Sequence, residues 1–132
     1  FQGVSFQVAE AAMLLDARRS LVYTTSLSVD RGADPNTGRR LVSETKRFVT
    51  ESCQKVARNA MQVMGGIGYT NVFPIERIVR DLGLASIWTG TNEVMSMIIA
   101  HEWYAEHART GSVRNVEADA PEALAEGEKI FD

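Results

Sequence analysis

The feature that most constrains the fold is a pair of long stretches free of helix breakers. From Phe1 to Asp30 the only glycine is Gly3 and there is no proline; from Arg39 to Met64 there is neither. In the first stretch Val4, Val8, Ala11, Leu15 and Val22 recur at roughly helical spacing, although the step after Leu15 lands on Arg18. In the second, Leu41, Thr45, Phe48, Ser52, Val56, Ala60 and Met64 step by three or four residues. This spacing predicts two long helices, the second roughly 39 Å long at about 1.5 Å per residue. The turn residues of "RGADPNTG", Arg31 to Gly38, predict a loop between them.

Punctuation organises the rest of the chain. "GGIGYTNVFP" ends the second helix, with Gly65 and Gly66 as C-terminal stops. Pro74 suits the first turn of a short third helix, from Ile75 to about Leu82. Gly83 and Gly90 bracket a connector. Thr91 then stands as the N-cap of a fourth helix carrying Val94, Met97, Ile98 and Tyr104, which "RTGS" ends. A polar tail follows, with a short helix expected from Pro121 to Ile130. No strand-like alternation of useful length interrupts this, so the expected fold is all-α, an up-down four-helix bundle.

Bulk properties narrow the function. A chain of 132 residues suffices for one domain, and a net charge of −3 gives no global case for nucleic acid or an anionic membrane. The apolar runs are too short to span a bilayer. Cys53 is the single cysteine, which fits a cytoplasmic protein, and the chain opens without Met inside an amphipathic pattern, as a piece of a longer protein would. His101 and His107 have no partners at metal-ligand spacing, so no metal is expected. Charge is uneven. Residues 36–64 carry Arg39, Arg40, Lys46, Arg47, Lys55 and Arg58 against Glu44 and Glu51; residues 115–132 carry six acids against Lys129. Two solvated faces would explain this, as would a basic helix start that attracts a phosphorylated ligand.

Local motifs leave their chemistry open. "GGIGY" follows a predicted helix and not a strand, which argues against a dinucleotide fingerprint of the βαβ kind. Its glycines still permit close backbone approach to a flat or charged ligand. In "PIERIVRD", Glu76–Arg80 and Arg77–Asp81 are i,i+4 pairs. In "WTGTNEV", Thr91 and Glu93 suit a helix start for structural reasons alone, and the same helix N-terminus suits a ligand oxygen.

Together these pieces resemble one family. "QVMGGIGYTNVFPIERIVRDLGLASIWTGTNEVMSMIIAHEW" is similar to the C-terminal signature of the acyl-CoA dehydrogenases, and "FQGVSFQVAEAAMLLDARRS" resembles the start of that family's C-terminal helical domain. The resemblance covers residues 1–108 and leaves 109–132 as an acidic C-terminal extension. It implies FAD as cofactor and oxidation of an acyl-CoA thioester to the 2,3-enoyl thioester. A base removes the α-proton and the hydride passes to the flavin. It also implies an electron-transferring flavoprotein as partner and a homo-oligomer, a dimer or a homotetramer.

By the same resemblance Gln2 contacts flavin. Gln62, Val63, Met64, Gly65 and Gly66 meet the adenosine-diphosphate part of a neighbouring subunit's flavin, and Thr91, Asn92 and Glu93 hold FAD at the fourth helix. Thr89 and Gly90 lie beside the substrate thioester, and His101 stands where an Arg near CoA is usual. The position of Thr89 is the catalytic glutamate in many members. A threonine hydroxyl is a very poor base, so this chain is expected to contain no catalytic residue. In members with a small residue there, the base comes from the preceding helix, which would lie before Phe1. The alternatives are a catalytically idle or repurposed subunit of a heteromeric flavoenzyme, and a helical association module without flavin.

Overall fold

The computed structural model describes residues 1–111, which divide into two compact units, Phe1–Glu102 and the residues from Trp103 onward. The first unit holds α1 (Gln2–Asp30), α2 (Pro35–Met64), a short 3-10 helix (Gly65–Tyr69), α3 (Ile75–Ala85) and the first part of α4 (Asn92–Thr110). In the second unit α4 continues to Thr110, where Gly111 takes φ 70° and its N–H bonds to the His107 carbonyl at 2.8 Å. The described residues contain no strand. The expected Pro121–Ile130 helix lies outside them.

Three boundaries differ from expectation. The α2 helix starts at Pro35, inside the stretch expected to be loop. Asp34 and Pro35 act as a cap and first-turn residue: the Thr37 N–H donates to the Asp34 carboxylate at 3.1 Å, and proline at N1 loses no helical hydrogen bond. The connector therefore shrinks to Arg31–Asp34, with Gly32 at φ 79°. The α3 helix runs through Gly83 to Ala85, since Gln54 of α2 donates to the Leu82 carbonyl at 2.8 Å and to Ser86 Oγ at 3.1 Å, and Ser86 closes back on Gly83 O at 2.9 Å. "GGIGY" is a 3-10 helix and not an open loop.

Within the first unit, α2 is the central element. The α1 helix runs antiparallel to it, with pairs that step up one helix and down the other. Glu10 meets Lys55 and, at 3.0 Å, Asn59. Arg18 donates to Cys53 Sγ at 2.7 Å, and the Thr25 and Thr45 hydroxyls bond at 2.7 Å. This seam is largely polar. Buried apolar side chains among the described residues are few, Ala57 and Met95, and the stripe expected to be covered on α1 leaves Val4 and Val8 exposed. The start of α4 is tied to the first half of α2 by side-chain hydrogen bonds, from Lys46 and Thr50 to Asn92 and from Arg47 to Ser96.

Candidate functional site

The turn between α3 and α4 is built by backbone geometry that few sequences allow. Thr89 has φ 52° and Gly90 φ 91°. A left-handed conformation costs a residue with a Cβ about 1–2 kcal/mol, so Thr89 requires compensation. The compensation comes from α2. Lys46 donates to the Gly90 carbonyl at 2.7 Å and to Asn92 Oδ1 at 2.8 Å. Thr50 donates to the same Asn92 oxygen at 3.1 Å, and the Asn92 N–H reaches back to Ser86 O at 3.0 Å. Asn92 is 8% exposed, and a buried amide needs such partners.

Thr91 caps α4 as the sequence predicts, accepting from the Val94 N–H at 3.3 Å. Glu93, in the first turn, is held below the usual carboxylate range, first by the Thr91 hydroxyl, then by its own backbone N–H, with smaller help from the charges of Arg47 and Lys46. A carboxylate so stabilised is a weaker base. The Thr89 hydroxyl donates to Trp88 O at 2.8 Å. Beside the turn, Thr89 and Met95 share a cavity of about 580 Å³ with Val29, Ala33, Val42 and Lys46.

The second group of expected residues sits at the other end of α2. Gln62, Gly65 and Gly66 line a cavity of about 480 Å³ with Arg58, Met61 and Tyr69. Gly65 ends α2 at φ 67°, and a Cβ built on Gly65 or Gly66 would meet nothing within 4 Å. The backbone here is bare and open to a ligand, and Arg58 supplies a cation. Val63 and Met64 face a different space, an apolar cavity of about 280 Å³ with Val8, Ala11 and Val56. From the α2 residues that hold the turn to this glycine end is roughly 24 Å at about 1.5 Å per residue. The structure therefore brings Thr89–Glu93 together and Gln62–Gly66 together, but not the two groups. Gln2 begins α1 and is exposed, at the Gln62 end of the antiparallel pair. His101 is exposed on α4 and does not line the cavity at Thr89.

The basic stretch of α2 is mostly engaged within the chain. Arg39 pairs with buried Glu102, Arg40 with Glu44 at 2.9 Å, Arg47 with Glu51 at 3.1 Å, and Lys55 with Glu10. This leaves little of it for a phosphorylated ligand except Arg58. Lys46 and Arg58 enter the sequence reading only as members of the basic stretch of α2 and not at a particular site. Lys46 and Thr50, at i and i+4, share a face of α2, but nothing local signals that Gly90 will lie against it. Among the described residues no His, Cys, Asp and Glu cluster could hold a metal, and no helix is long and apolar enough to cross a membrane.

Comparison with known proteins gives consistent matches. The family described as acyl-CoA dehydrogenase, C-terminal domain, matches residues 1–103. An acyl-CoA dehydrogenase of Bacillus subtilis is 38% identical over 99 residues, 75% of this chain and 25% of that protein. A probable acyl-CoA dehydrogenase of Mycobacterium tuberculosis, FadE25, is 35% identical over 100 residues, 76% of this chain and 25% of that protein. The structure of butyryl-CoA dehydrogenase from Megasphaera elsdenii matches with a TM-score of 0.72 at 32% identity, over 76% of this chain and 26% of that one. The chain thus spans about a quarter of the length of these relatives.

Proposed function

The chain belongs to the acyl-CoA dehydrogenase family, as its C-terminal domain, and from this premise we propose that it is the FAD-binding and oligomerisation domain of a larger acyl-CoA dehydrogenase. The substrate is an acyl-CoA thioester, oxidised to the 2,3-enoyl-CoA. FAD, when bound, accepts the hydride. The observation that carries this reading is the tied turn: the Thr89–Glu93 segment that the family resemblance places at cofactor and thioester is bonded to α2 through Lys46 and Thr50.

The residues present suit their proposed partners. At the turn, Thr91 and Asn92 keep the start of α4 in register beside the cofactor, and Thr89 and Gly90 form the wall facing the thioester. At the other end of α2, Gly65 and Gly66 offer open backbone and Arg58 a positive charge to a second dinucleotide's phosphates. The two segments lie roughly 24 Å apart along one helix, and the family resemblance assigns them to two different flavins, one of them a neighbouring subunit's. A homo-oligomer follows, and the electron-transferring flavoprotein is the proposed acceptor. Exposed apolar residues near the glycines, Ile67, Tyr69, Val72 and Phe73, fit a covered subunit boundary. His101, exposed on α4, is the proposed contact to CoA.

The base is proposed to lie elsewhere in the subunit. Thr89 cannot serve, Glu93 is stabilised as a carboxylate, and exposed Asp81 faces Arg77 at 3.9 Å. The test is anaerobic addition of a panel of acyl-CoAs to the full-length protein while the visible flavin absorbance is followed. Bleaching by one chain class supports the reading. Bound flavin that no acyl-CoA reduces would instead favour an idle or repurposed subunit, and a preparation without flavin would favour an association module.

A further inference from the structure

We propose that Lys46, on α2, is a positioning residue for the site at the α3–α4 turn, acting through the Gly90 peptide and not by touching a ligand. The inference rests on the reading above, that this turn holds flavin and thioester. Three observations carry it. The Lys46 ammonium donates to two acceptors of the turn at once, Gly90 O at 2.7 Å and Asn92 Oδ1 at 2.8 Å. It lies in a half-buried position, where such bonds are stronger than in water. The segment it holds contains the one described non-glycine residue at positive φ, Thr89, followed directly by Gly90 at φ 91°.

The geometry gives the tie a direction. The peptide bonds of the described residues are trans, so in the planar Gly90–Thr91 unit the carbonyl and the following N–H point opposite ways. Lys46 draws the Gly90 carbonyl towards α2 and so turns the Thr91 N–H away from α2. The second bond, to Asn92, fixes the next residue against the same helix. Lys46 thereby sets both the direction of the peptide at the start of α4 and the place of Thr89 on the wall of the adjoining cavity, which Lys46 also lines. Strained backbone persists only where its surroundings over-determine it, and this ammonium is the cationic part of those surroundings. Without it, the Gly90 carbonyl loses its partner on α2 and the peptide can turn: glycine tolerates most angles, and the Cε of Met95, 2.6 Å from where a Gly90 Cβ would be, is the end of a flexible side chain.

The experiment compares Lys46→Met, Lys46→Arg and Lys55→Met in the full-length protein. Lys55 pairs with Glu10 on the α1 side of α2, away from the turn, and controls for loss of a cation from the same helix. FAD affinity after reconstitution, the visible circular dichroism of bound flavin, and kcat and KM for the best acyl-CoA are measured with the thermal midpoint. Lys46→Met is expected to weaken FAD at least about tenfold, to change the flavin dichroism, and to lower kcat more than it raises KM. Lys55→Met is expected to lower the thermal midpoint while leaving the flavin signals unchanged. Lys46→Arg keeps a charged donor and is expected to recover most of the FAD affinity, which also covers the case in which the Met variant does not fold. Flavin affinity and dichroism in Lys46→Met equal to wild type or to Lys55→Met would overturn the inference, as would an Arg variant no better than Met. If the wild-type protein itself binds no flavin, it is the parent reading that fails.

Discussion

Truncating Asn92 to alanine should loosen the start of α4 by a predictable amount. The amide is 8% exposed and accepts from Lys46 at 2.8 Å and from Thr50 at 3.1 Å. The first is a bond to a charged group, which contributes about 1.5–3 kcal/mol; the second is neutral and shares the single Thr50 hydroxyl proton with Arg47 O, so it lies in the lower half of about 0.5–1.5 kcal/mol. Thr50 keeps its bond to Arg47 O at 3.0 Å, and Lys46 keeps Gly90 O, so neither donor is orphaned. The amide's own donation to Glu51 at 3.4 Å is long and adds little. The expected loss is about 2–4 kcal/mol, confined to the turn and the first turn of α4. At about 1.4 kcal/mol per decade, amide exchange at Met95 and Ser96 should accelerate roughly 30- to 1000-fold. Hydrogen exchange read by mass spectrometry on the full-length protein measures this, with α1 around Arg18 as internal reference. Acceleration below about threefold at α4, or an equal loss in α1, would refute the idea that a polar tie to α2 holds this helix start.

Other substitutions separate fold from function. Gly68→Ala should destabilise by about 1–3 kcal/mol, because a Cβ there meets Met61 O at 3.0 Å and Met64 Cβ at 2.9 Å, atoms that cannot easily move; denaturant unfolding checks it. Gly66→Ala meets nothing and has no positive φ, so it should leave stability within about 0.5 kcal/mol and weaken FAD retention. A Gly66 variant that binds FAD normally would remove that segment from the cofactor site. Thr89→Ala should slow flavin reduction by acyl-CoA less than about tenfold, whereas loss of a general base costs about 10²–10⁴. Acid should destabilise the domain through Glu10, held below the usual carboxylate range chiefly by Lys55 and then Asn59. A folded pKa below the unfolded one gives stability that is present above the ordinary carboxylate range and lost as pH falls through the lower folded value. Glu10→Gln should therefore show a shallower fall of thermal midpoint between about pH 6 and pH 3, and an unchanged slope would sink the assignment.

What the sequence announced and what it hid divide along the range of the interactions. The extent of α1, the Gly65 stop of α2 and the Thr91 cap of α4 depend on residues within four places of each other, and each appears where the residues indicate. The start of α2 was also local, since Asp34-Pro35 is a cap and first-turn pair, but the neighbouring glycines made it look like loop. The third helix ran past Gly83 because Gln54, from another helix, holds its last turn. Lys46 is the extreme case. Its acceptors lie 44 and 46 residues away, and no periodicity marks it apart from the other cations of α2.

That contrast bears on how this domain supports a site. The seam between α1 and α2 is polar, few apolar side chains are buried, and Val8, Met13, Trp88 and Met97 stand exposed. Apolar burial alone therefore does not set the position of the α3–α4 turn within this chain. Directional bonds do: Lys46 and Thr50 of α2 and the Ser86 carbonyl at the end of α3 fix it. Such bonds are directional and strengthen one another, so losing one partner weakens those that remain. A site held this way should therefore lose its geometry before the domain loses its helices. Chemical denaturation of the holoenzyme should release flavin at a lower denaturant concentration than the one that abolishes helical circular dichroism. Coincident transitions would mean that the turn and the bundle are one cooperative unit, and that apolar cover from the rest of the assembly, not the polar tie, sets the site.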